Sequence, residues 1–470
     1  MKNKYNESKF TLANSVNLSI ASVSPIIKSM VVVSATLLSS LTLSAGPTSS
    51  AGAAGPFTQA YQKYMDSNPD LEGQKYLVQA AFQEVITQKK GYMPQLVLEG
   101  KALAVGQDIK QKGSGVFEDG SADYGSLRAK LELDQPLIDL TLKHKVAEAK
   151  AITRIQQGLL RSQESELTEF FVVSFLEALK IAQLESSVDR VIARLESELS
   201  KISRSLEENM ATVEDVENVK TALVAMRQEK RLMQDQRQRL LLALGLESDD
   251  TVGLSTGREN VIKLPVLLAS LKTGDSKADV LQAEINAIGS RIKATGKGDL
   301  PRLSLYGLLE HDDADGSQFG SDRTLNSYEV GVRVKWNVFD RGVNRSESKK
   351  LDYLKKAKEA KLAARLTQLK RESLLSRKSM EFSKLNLDSL NELVKHQASI
   401  LKATEISYRE GGEKSYIQMI NAFMVYESQV RRQIHGKFDY IVKQAEFRGS
   451  KTTWSQGLVA DLDRIFESTK

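Results

Sequence analysis

The stretch from residue 300 to residue 340 constrains what this chain can fold into more than any other. It holds two segments, at about 301–310 and 327–338, in which apolar and charged residues alternate. Side chains of a β-strand point to opposite faces in turn, so both segments predict strands with one apolar and one charged face. The apolar set of this pair includes Leu303, Leu305, Val330, Val332 and Val334.

A second pair of alternating segments lies earlier, at about 94–104 and 124–136. Leu127 and Leu131 share one predicted face there, and the charged residues share the other. Strands of about ten residues cross a bilayer when tilted, yet a soluble sandwich shows the same alternation. The alternation alone favours a soluble sheet, whereas two matching pairs flanked by very long helices favour strands in a membrane. We therefore predict that these seven apolar residues face lipid.

The N-terminal segment has the pattern of a secretory signal. A basic region ends at Lys28, an apolar stretch covers 29–45, and small residues including Ala51 and Ala53 follow. We predict a signal peptide at 1–54. The alternative is an uncleaved membrane anchor, which the short length and the many Ser and Thr residues disfavour. No later segment is apolar enough to span a membrane as a helix, so a mature membrane protein would cross through strands.

Charge and composition exclude several classes of protein. The net charge is +6, and about half of that excess lies in the first 54 residues, so a nucleic-acid partner has no support. Charged residues make up 27% and aromatic residues 6%, which is typical of long helices rather than of a large compact core. The chain has no cysteine, which excludes disulfides and thiolate metal sites.

The chain repeats one order of elements twice, which indicates an internal duplication. Stretches without proline at 140–208 and 343–410 predict rods, since about 70 residues of helix extend about 100 Å. After each rod, a short break precedes a second helix with coiled-coil spacing, at 212–245 and at 414–447. We thus predict a first repeat at 55–250, an irregular linker at 251–275, a second repeat at 276–447 and a polar tail at 448–470.

Four amphipathic strands cannot close a barrel by themselves, and lipid permits no open strand edges. Small barrels need about eight strands, and three chains would supply twelve. The rods also carry narrow apolar seams, which require neighbouring helices. One architecture satisfies both demands: a mainly α-helical trimer in which a 12-stranded membrane β-barrel continues into a helical tube.

The doubled order of helix, proline, strand pair, rod, break and helix resembles the TolC-like outer-membrane efflux and type I secretion duct family. Both hairpins end with two hydrophobic residues and an aspartate, at Asp139 and Asp340, and the second break reads GGEKSYIQMINA over 411–422. The resemblance covers the mature chain. It implies a homotrimeric exit duct in the outer membrane that extends into the periplasm and exports proteins or small molecules. Its partners would be a periplasmic adaptor (a membrane fusion protein) and an inner-membrane transporter, either ABC or proton-driven.

In that family the helical breaks form a constricted periplasmic entrance, lined by aspartates and braced by a basic residue. The resemblance implies a latch between Asp215 and Lys414, whereas Gln418 and Asn421 stand where aspartates are common. Exposed residues at a helix start show the same pattern through capping and the helix dipole, so both interpretations stay open. The gate candidates are Asp215, Lys414, Gln418, Asn421, Glu214 and Glu413.

The residues do not indicate an enzyme. The four histidines have no neighbour at metal-ligand spacing, and the acidic residues of 214–217 lack a partner base. We predict no catalytic residue, no metal and no cofactor. The alternatives to a duct are a periplasmic coiled-coil adaptor, which would carry many short strands and one helical hairpin, and a soluble coiled-coil scaffold.

Overall fold

In a computed structural model of the chain, the described residues are 55–109, 120–209, 211–246, 275–316, 322–410, 415–449, 454 and 456–467. The predicted signal at 1–54 and nearly all of the predicted linker at 251–275 lie outside them. The first repeat contains α1 (Pro56–Asp66), α2 (Pro69–Lys90), β1 (Gln95–Ile109), β2 (Gly120–Ile138), α3 (Leu140–Glu207) and α4 (Val213–Ala243). The second contains α5 (Ser276–Gly296), β3 (Arg302–Asp315), β4 (Arg323–Lys335), α6 (Val343–Arg409) and α7 (Tyr416–Gly449), and α8 (Gln456–Glu467) follows.

The four long helices begin and end within two residues of the positions that the sequence predicts. An aspartate lies just before each rod, at the end of its hairpin. The Asp139 carboxylate accepts a hydrogen bond from the backbone N–H of Thr141 at 2.8 Å, and that of Asp340 accepts one from the backbone N–H of Asn344 at 2.7 Å. Both carboxylates thus satisfy backbone donors that a helix start leaves without an intrahelical partner.

The four strands form one antiparallel sheet in the order β1-β2-β3-β4. Strands β2 and β3 come from different repeats, so the sheet joins the two halves of the chain. All four strands differ in extent from the prediction, which followed the apolar alternation alone. The hydrogen-bonded ladder continues to Ile109 in β1, past the predicted end at 104, and it continues in β3 from 310 through mostly polar residues to Asp315. In β4 the strand starts earlier, at Arg323, and ends at Lys335 rather than 338.

The main apolar core lies where α1, α3, α7 and α8 meet. Phe57, Phe171 and Phe175 are fully buried there, and the ring of Phe57 packs edge-on against the other two, with centroids 5.5 and 4.8 Å apart. In this arrangement the electropositive edge of one ring faces the electron-rich face of another, which stabilises the aromatic pair.

The prediction of a polar tail at 448–470 is wrong for its central part. Helix α7 extends to Gly449, and residues 456–467 form α8. Leu458, Val459 and Leu462 are buried in the aromatic core, and the backbone N–H of Trp454 donates a hydrogen bond to Ser165 Oγ at 3.0 Å. The spacing of these three apolar residues puts them on one helix face, so burial overrides the polar average of the segment.

Candidate functional site

The two breaks between rods and second helices are built on the same local motif. At the first break, Asn209 has a positive φ of 56°, which ends the path of α3 and turns the chain. Thr212 and Asp215 then form a capping box. The Thr212 N–H and hydroxyl donate to Asp215 Oδ2 at 3.0 and 2.6 Å, and the Asp215 N–H donates to Thr212 Oγ1 at 3.2 Å.

The second break repeats this motif with neutral side chains. The Ser415 N–H donates to Gln418 Oε1 at 3.1 Å, and the Gln418 N–H donates to Ser415 Oγ at 3.3 Å. Thr212 therefore corresponds to Ser415, and Asp215 corresponds to Gln418. The two helix starts share one capping pattern, as the predicted duplication would require, and this pattern gives both Asp215 and Gln418 a capping role.

The capping contacts favour the ionised form of Asp215. The hydrogen bonds from the hydroxyl and then the backbone N–H of Thr212 favour the ionised carboxylate, so they lower the pKa of Asp215 below its usual value of 3.8. Glu214 is exposed in the first turn of α4, where a negative charge interacts favourably with the helix dipole. Gln418 and Asn421 are exposed at the start of α7. Glu413 and Lys414 lie outside the described residues, so the latch stays a prediction.

A buried carboxylate that the sequence interpretation missed lies a few turns behind the first break. Glu198 of α3 is only 3% exposed. Its Oε1 lies 3.1 Å from Arg194 Nε and 2.8 Å from Lys201 Nζ, and its Oε2 accepts a hydrogen bond from the Tyr416 hydroxyl at 3.2 Å. Three donors on two helices thus compensate for the removal of this charge from water.

The same cluster reaches a third helix through Arg194. Its Nη2 lies 3.2 Å from Glu405 Oε1 of α6, and its guanidinium sits 5.7 Å from the ring centroid of Phe423 on α7. Burial, followed by the nearby charge of Glu198, raises the pKa of the Tyr416 hydroxyl, which therefore stays a hydrogen-bond donor. The cluster connects α3 of the first repeat to α6 and α7 of the second.

One signal in the sequence could have identified this cluster. Glu198 lies three residues after Leu195 and four before Ile202, and both of these are buried. A charged residue within the apolar stripe of a helix requires a partner on a neighbouring helix. The distance in sequence between Arg194 and Glu405 gives no hint of which helix supplies that partner.

Apolar and charged side chains lie on opposite faces of the sheet. Residues directly opposite one another in neighbouring strands share a face, and the register places Leu305 opposite Val332 and Leu131 opposite Leu309. Val330, Val332 and Val334 are 80%, 60% and 63% exposed. The register puts all the predicted lipid-facing residues on this one face: Leu127, Leu131, Leu303, Leu305, Val330, Val332 and Val334.

The opposite face of the sheet carries charged residues in contact with one another. Arg333 Nη2 of β4 lies 3.1 Å from Glu132 Oε1 of β2, so the side chain crosses the intervening strand β3. Its guanidinium lies 3.7 Å from the ring centroid of Tyr306 on β3, an arrangement typical of a cation–π contact. On the same face, Arg128 Nη2 lies 3.3 Å from Asp312 Oδ2.

Two features are absent from the described residues. Within these ranges, no helix combines the length and the apolar character needed to cross a membrane. The same part of the chain holds no group of three or more histidine and carboxylate side chains arranged to hold a metal ion.

Comparisons with known proteins agree with this architecture. Residues 278–416 match the family model described as outer membrane efflux protein. The fold is similar to that of a membrane protein from Pseudomonas aeruginosa, with a TM-score of 0.69 and 17% identity over 84% of this chain and 92% of that chain. It is also similar to the CmeC outer membrane channel of Campylobacter jejuni, with a TM-score of 0.65 and 12% identity over 88% and 89% of the two chains.

A third similar structure is the outer membrane protein VceC of Vibrio cholerae, with a TM-score of 0.63 and 13% identity over 87% of this chain and 95% of that chain. No curated protein matches the chain at a significant level. At these identities the likeness establishes the fold.

Proposed function

We propose that this chain is the exit duct of an export system, working as a homotrimer with a periplasmic adaptor and an inner-membrane transporter, because residues 278–416 match the outer membrane efflux protein family model and the fold is similar to that of outer membrane channels. In this proposal the protein lies in the outer membrane and acts as a transport duct rather than as an enzyme. The transporter, ABC or proton-driven, would supply the energy. The cargo would be proteins or small molecules.

The observation that carries this proposal is a two-faced sheet with open edges. Strands β1 and β4 each pair on one side only within the described sheet, and the apolar face is largely exposed. Unpaired strand edges cannot lie in hydrocarbon, because each unsatisfied backbone group there costs several kcal/mol. Pairing β4 of one copy with β1 of the next satisfies both edges. Three copies would then supply twelve strands, enough to close a barrel.

The helices support the same assembly. Rod α3 packs against other helices along much of its length, whereas among the described residues of α6 only Leu351, Ser383 and Leu387 are buried. A row of large apolar side chains on α6 is exposed instead: Leu354, Leu374, Leu375, Phe382, Leu385, Leu393 and Ile400. A second copy of the chain is the partner that would cover this row while the strands pair.

We further propose that contacts near the two breaks hold the entrance closed at rest. The Arg194 contacts would hold α6 and α7 against α3, and Lys414 would add a latch to Asp215. Exposed ion pairs are worth only about 0.2–1 kcal/mol each, so the binding energy of an adaptor could release them. Lys414→Glu should raise the resting conductance in planar bilayers, and adding Asp215→Lys should partly restore closure. Unchanged conductance in both single variants would exclude this latch.

Cell fractionation tests the proposed function itself. We expect the protein in the outer-membrane fraction, soluble only in detergent, and crosslinked in cells to an adaptor. Release by osmotic shock as a detergent-free protein would instead support the adaptor or scaffold alternative. The long strands of the single described sheet, 13 to 19 residues each, are unlike the many short strands expected of an adaptor.

A further inference from the structure

The charged face of the sheet carries nearly equal numbers of basic and acidic side chains. The strand register determines which residues belong to this face of the described strands. The basic ones are Lys101, Arg128, Lys130, Arg302, Arg323, Arg333 and Lys335, and the acidic ones are Glu99, Glu132, Asp134, Glu310, Asp312 and Glu329.

Most of these charges lie close to an opposite charge. Glu132 is the centre of the largest group, because Lys130 Nζ lies 3.0 Å from its Oε2 and Arg333 Nη2 lies 3.1 Å from its Oε1. Arg333 Nη1 is also 3.8 Å from Asp134 Oδ1. Lys101 pairs with Glu99 at 2.9 Å on β1. These pairs distribute compensated charge over β1, β2 and β4.

Side-chain burial shows which face of the sheet is more enclosed. Ser126, Leu308 and Ala314 share the charged face and are 6–8% exposed, although the chain stands alone. On the apolar face of the same two strands, Leu127 and Leu309 are 59% and 46% exposed. The charged face is therefore the more enclosed one, as the inner surface of a curved sheet would be.

We infer that the barrel interior is a charge-compensated lining that passes cargo without preference for its charge, and that Glu132 holds this balance. This inference rests on the proposed duct, in which the charged face lines the interior. An opposite charge about 3 Å away cancels most of the field of a fixed charge at the pore axis. Selection by charge requires a lining of one sign, which focuses the field and concentrates counter-ions.

The test is the reversal potential of single channels in a KCl gradient across planar bilayers. Glu132→Gln keeps the shape of the side chain but leaves Lys130 without its carboxylate and Arg333 with only the more distant Asp134, so permeation should shift toward chloride. Lys130→Gln should shift it toward potassium. The double variant removes one charge of each sign and should return to the wild-type value. Asp313→Asn is the matched control, because it removes a carboxylate from the opposite face of the same sheet.

Ionic strength gives an independent readout. The Debye length falls from about 10 Å at 0.1 M salt to about 3 Å at 1 M, so the shifts should be large in dilute KCl and vanish in concentrated KCl. Reversal potentials that equal the wild-type value in both single variants would overturn the inference, as would a shift caused by Asp313→Asn. Recovery of the wild-type protein in soluble form without detergent would instead contradict the proposed duct.

Discussion

Two basic residues interrupt the apolar spacing of α4, and each meets a carboxylate of α3. Lys230 Nζ lies 2.6 Å from Asp189 Oδ1, and Arg237 Nε lies 3.1 Å from Glu185 Oε1. The sequence predicts the seam and shows that two of its positions are charged. It cannot identify the partners, because these depend on how α3 is rotated about its axis. Charged seam residues with a single matching partner favour one register of the helices over its alternatives.

The capping box at the first break predicts how a single substitution affects the start of α4. Thr212→Ala removes the two contacts of the Thr212 hydroxyl with Asp215 and should destabilise the start of α4 by about 0.5–2 kcal/mol. Hydrogen exchange of the backbone amides at 213–216 should become faster, and Ser415→Ala should have the same effect on α7 alone. Unchanged exchange at 213–216 would contradict the capping role.

The lowered pKa of Asp215 predicts how the same site responds to pH. A carboxyl group with a lower pKa in the folded state stabilises that state above its unfolded pKa, near 3.8. The stabilisation is lost as the pH falls through the folded pKa, so protection of the α4 start should decline below about pH 4. In Asp215→Asn, exchange at 213–216, corrected for the intrinsic pH dependence, should not show this decline. The same loss in the variant would assign it to another group.

The two faces of β4 allow a comparison within one strand. Arginine at a lipid-facing midplane position costs about 2–4 kcal/mol, whereas a barrel interior tolerates it. Val332→Arg should therefore reduce the yield of assembled protein in the outer membrane far more than Glu329→Arg, which adds the same residue to the charged face. Equal yields would show that the apolar face does not contact lipid.

Among the helices and strands, the sequence predicts those whose positions depend on local patterns. Long stretches without proline locate the rods to within two residues, and the aspartates that close the hairpins cap them. The strand ends were missed because backbone pairing continues where the side chains turn polar, as from His311 to Asp315. Helix α8 was missed because the segment is short and follows a polar stretch, and because the core that buries Leu458, Val459 and Leu462 is formed from distant segments.

The proposed closure of the entrance depends on the contact between α3 and α6 that Arg194 makes with Glu405. Arg194→Ala removes the contact to Glu405 and leaves Glu198 with fewer donors, so α6 and α7 should separate from α3 more easily. Resting conductance in planar bilayers should rise. Arg190→Ala is the matched control, because the Arg190 guanidinium donates to Ser186 O of its own helix. Equal conductance in both variants would exclude a role for Arg194 in closure.

For the whole molecule, the sequence predicts the duplication and the need for further copies of the chain better than it predicts any single site. The order of elements repeats, and four strands with apolar and charged faces leave two edges to satisfy. Which side chains meet across repeats, as Arg333 and Glu132 do, follows only from the three-dimensional arrangement. The gate candidates show the limit clearly, since Asp215 and Gln418 serve as caps whether or not they also line an entrance.

Because one chain cannot satisfy its own strand edges, folding of the sheet and association of three copies should be a single process. In mild detergent, the protein should elute as a trimer by size-exclusion chromatography with light scattering, and dilution should yield unfolded chains rather than folded monomers. Phe382→Glu places a charge in the exposed apolar row of α6, where Phe382 is 74% exposed, and should lower the trimer yield. Lys384→Glu adds the same residue at an exposed polar position of α6 and should leave the yield unchanged. A native monomer whose four strands stay protected from hydrogen exchange would contradict the shared barrel, because its edges would then be stable without a neighbour.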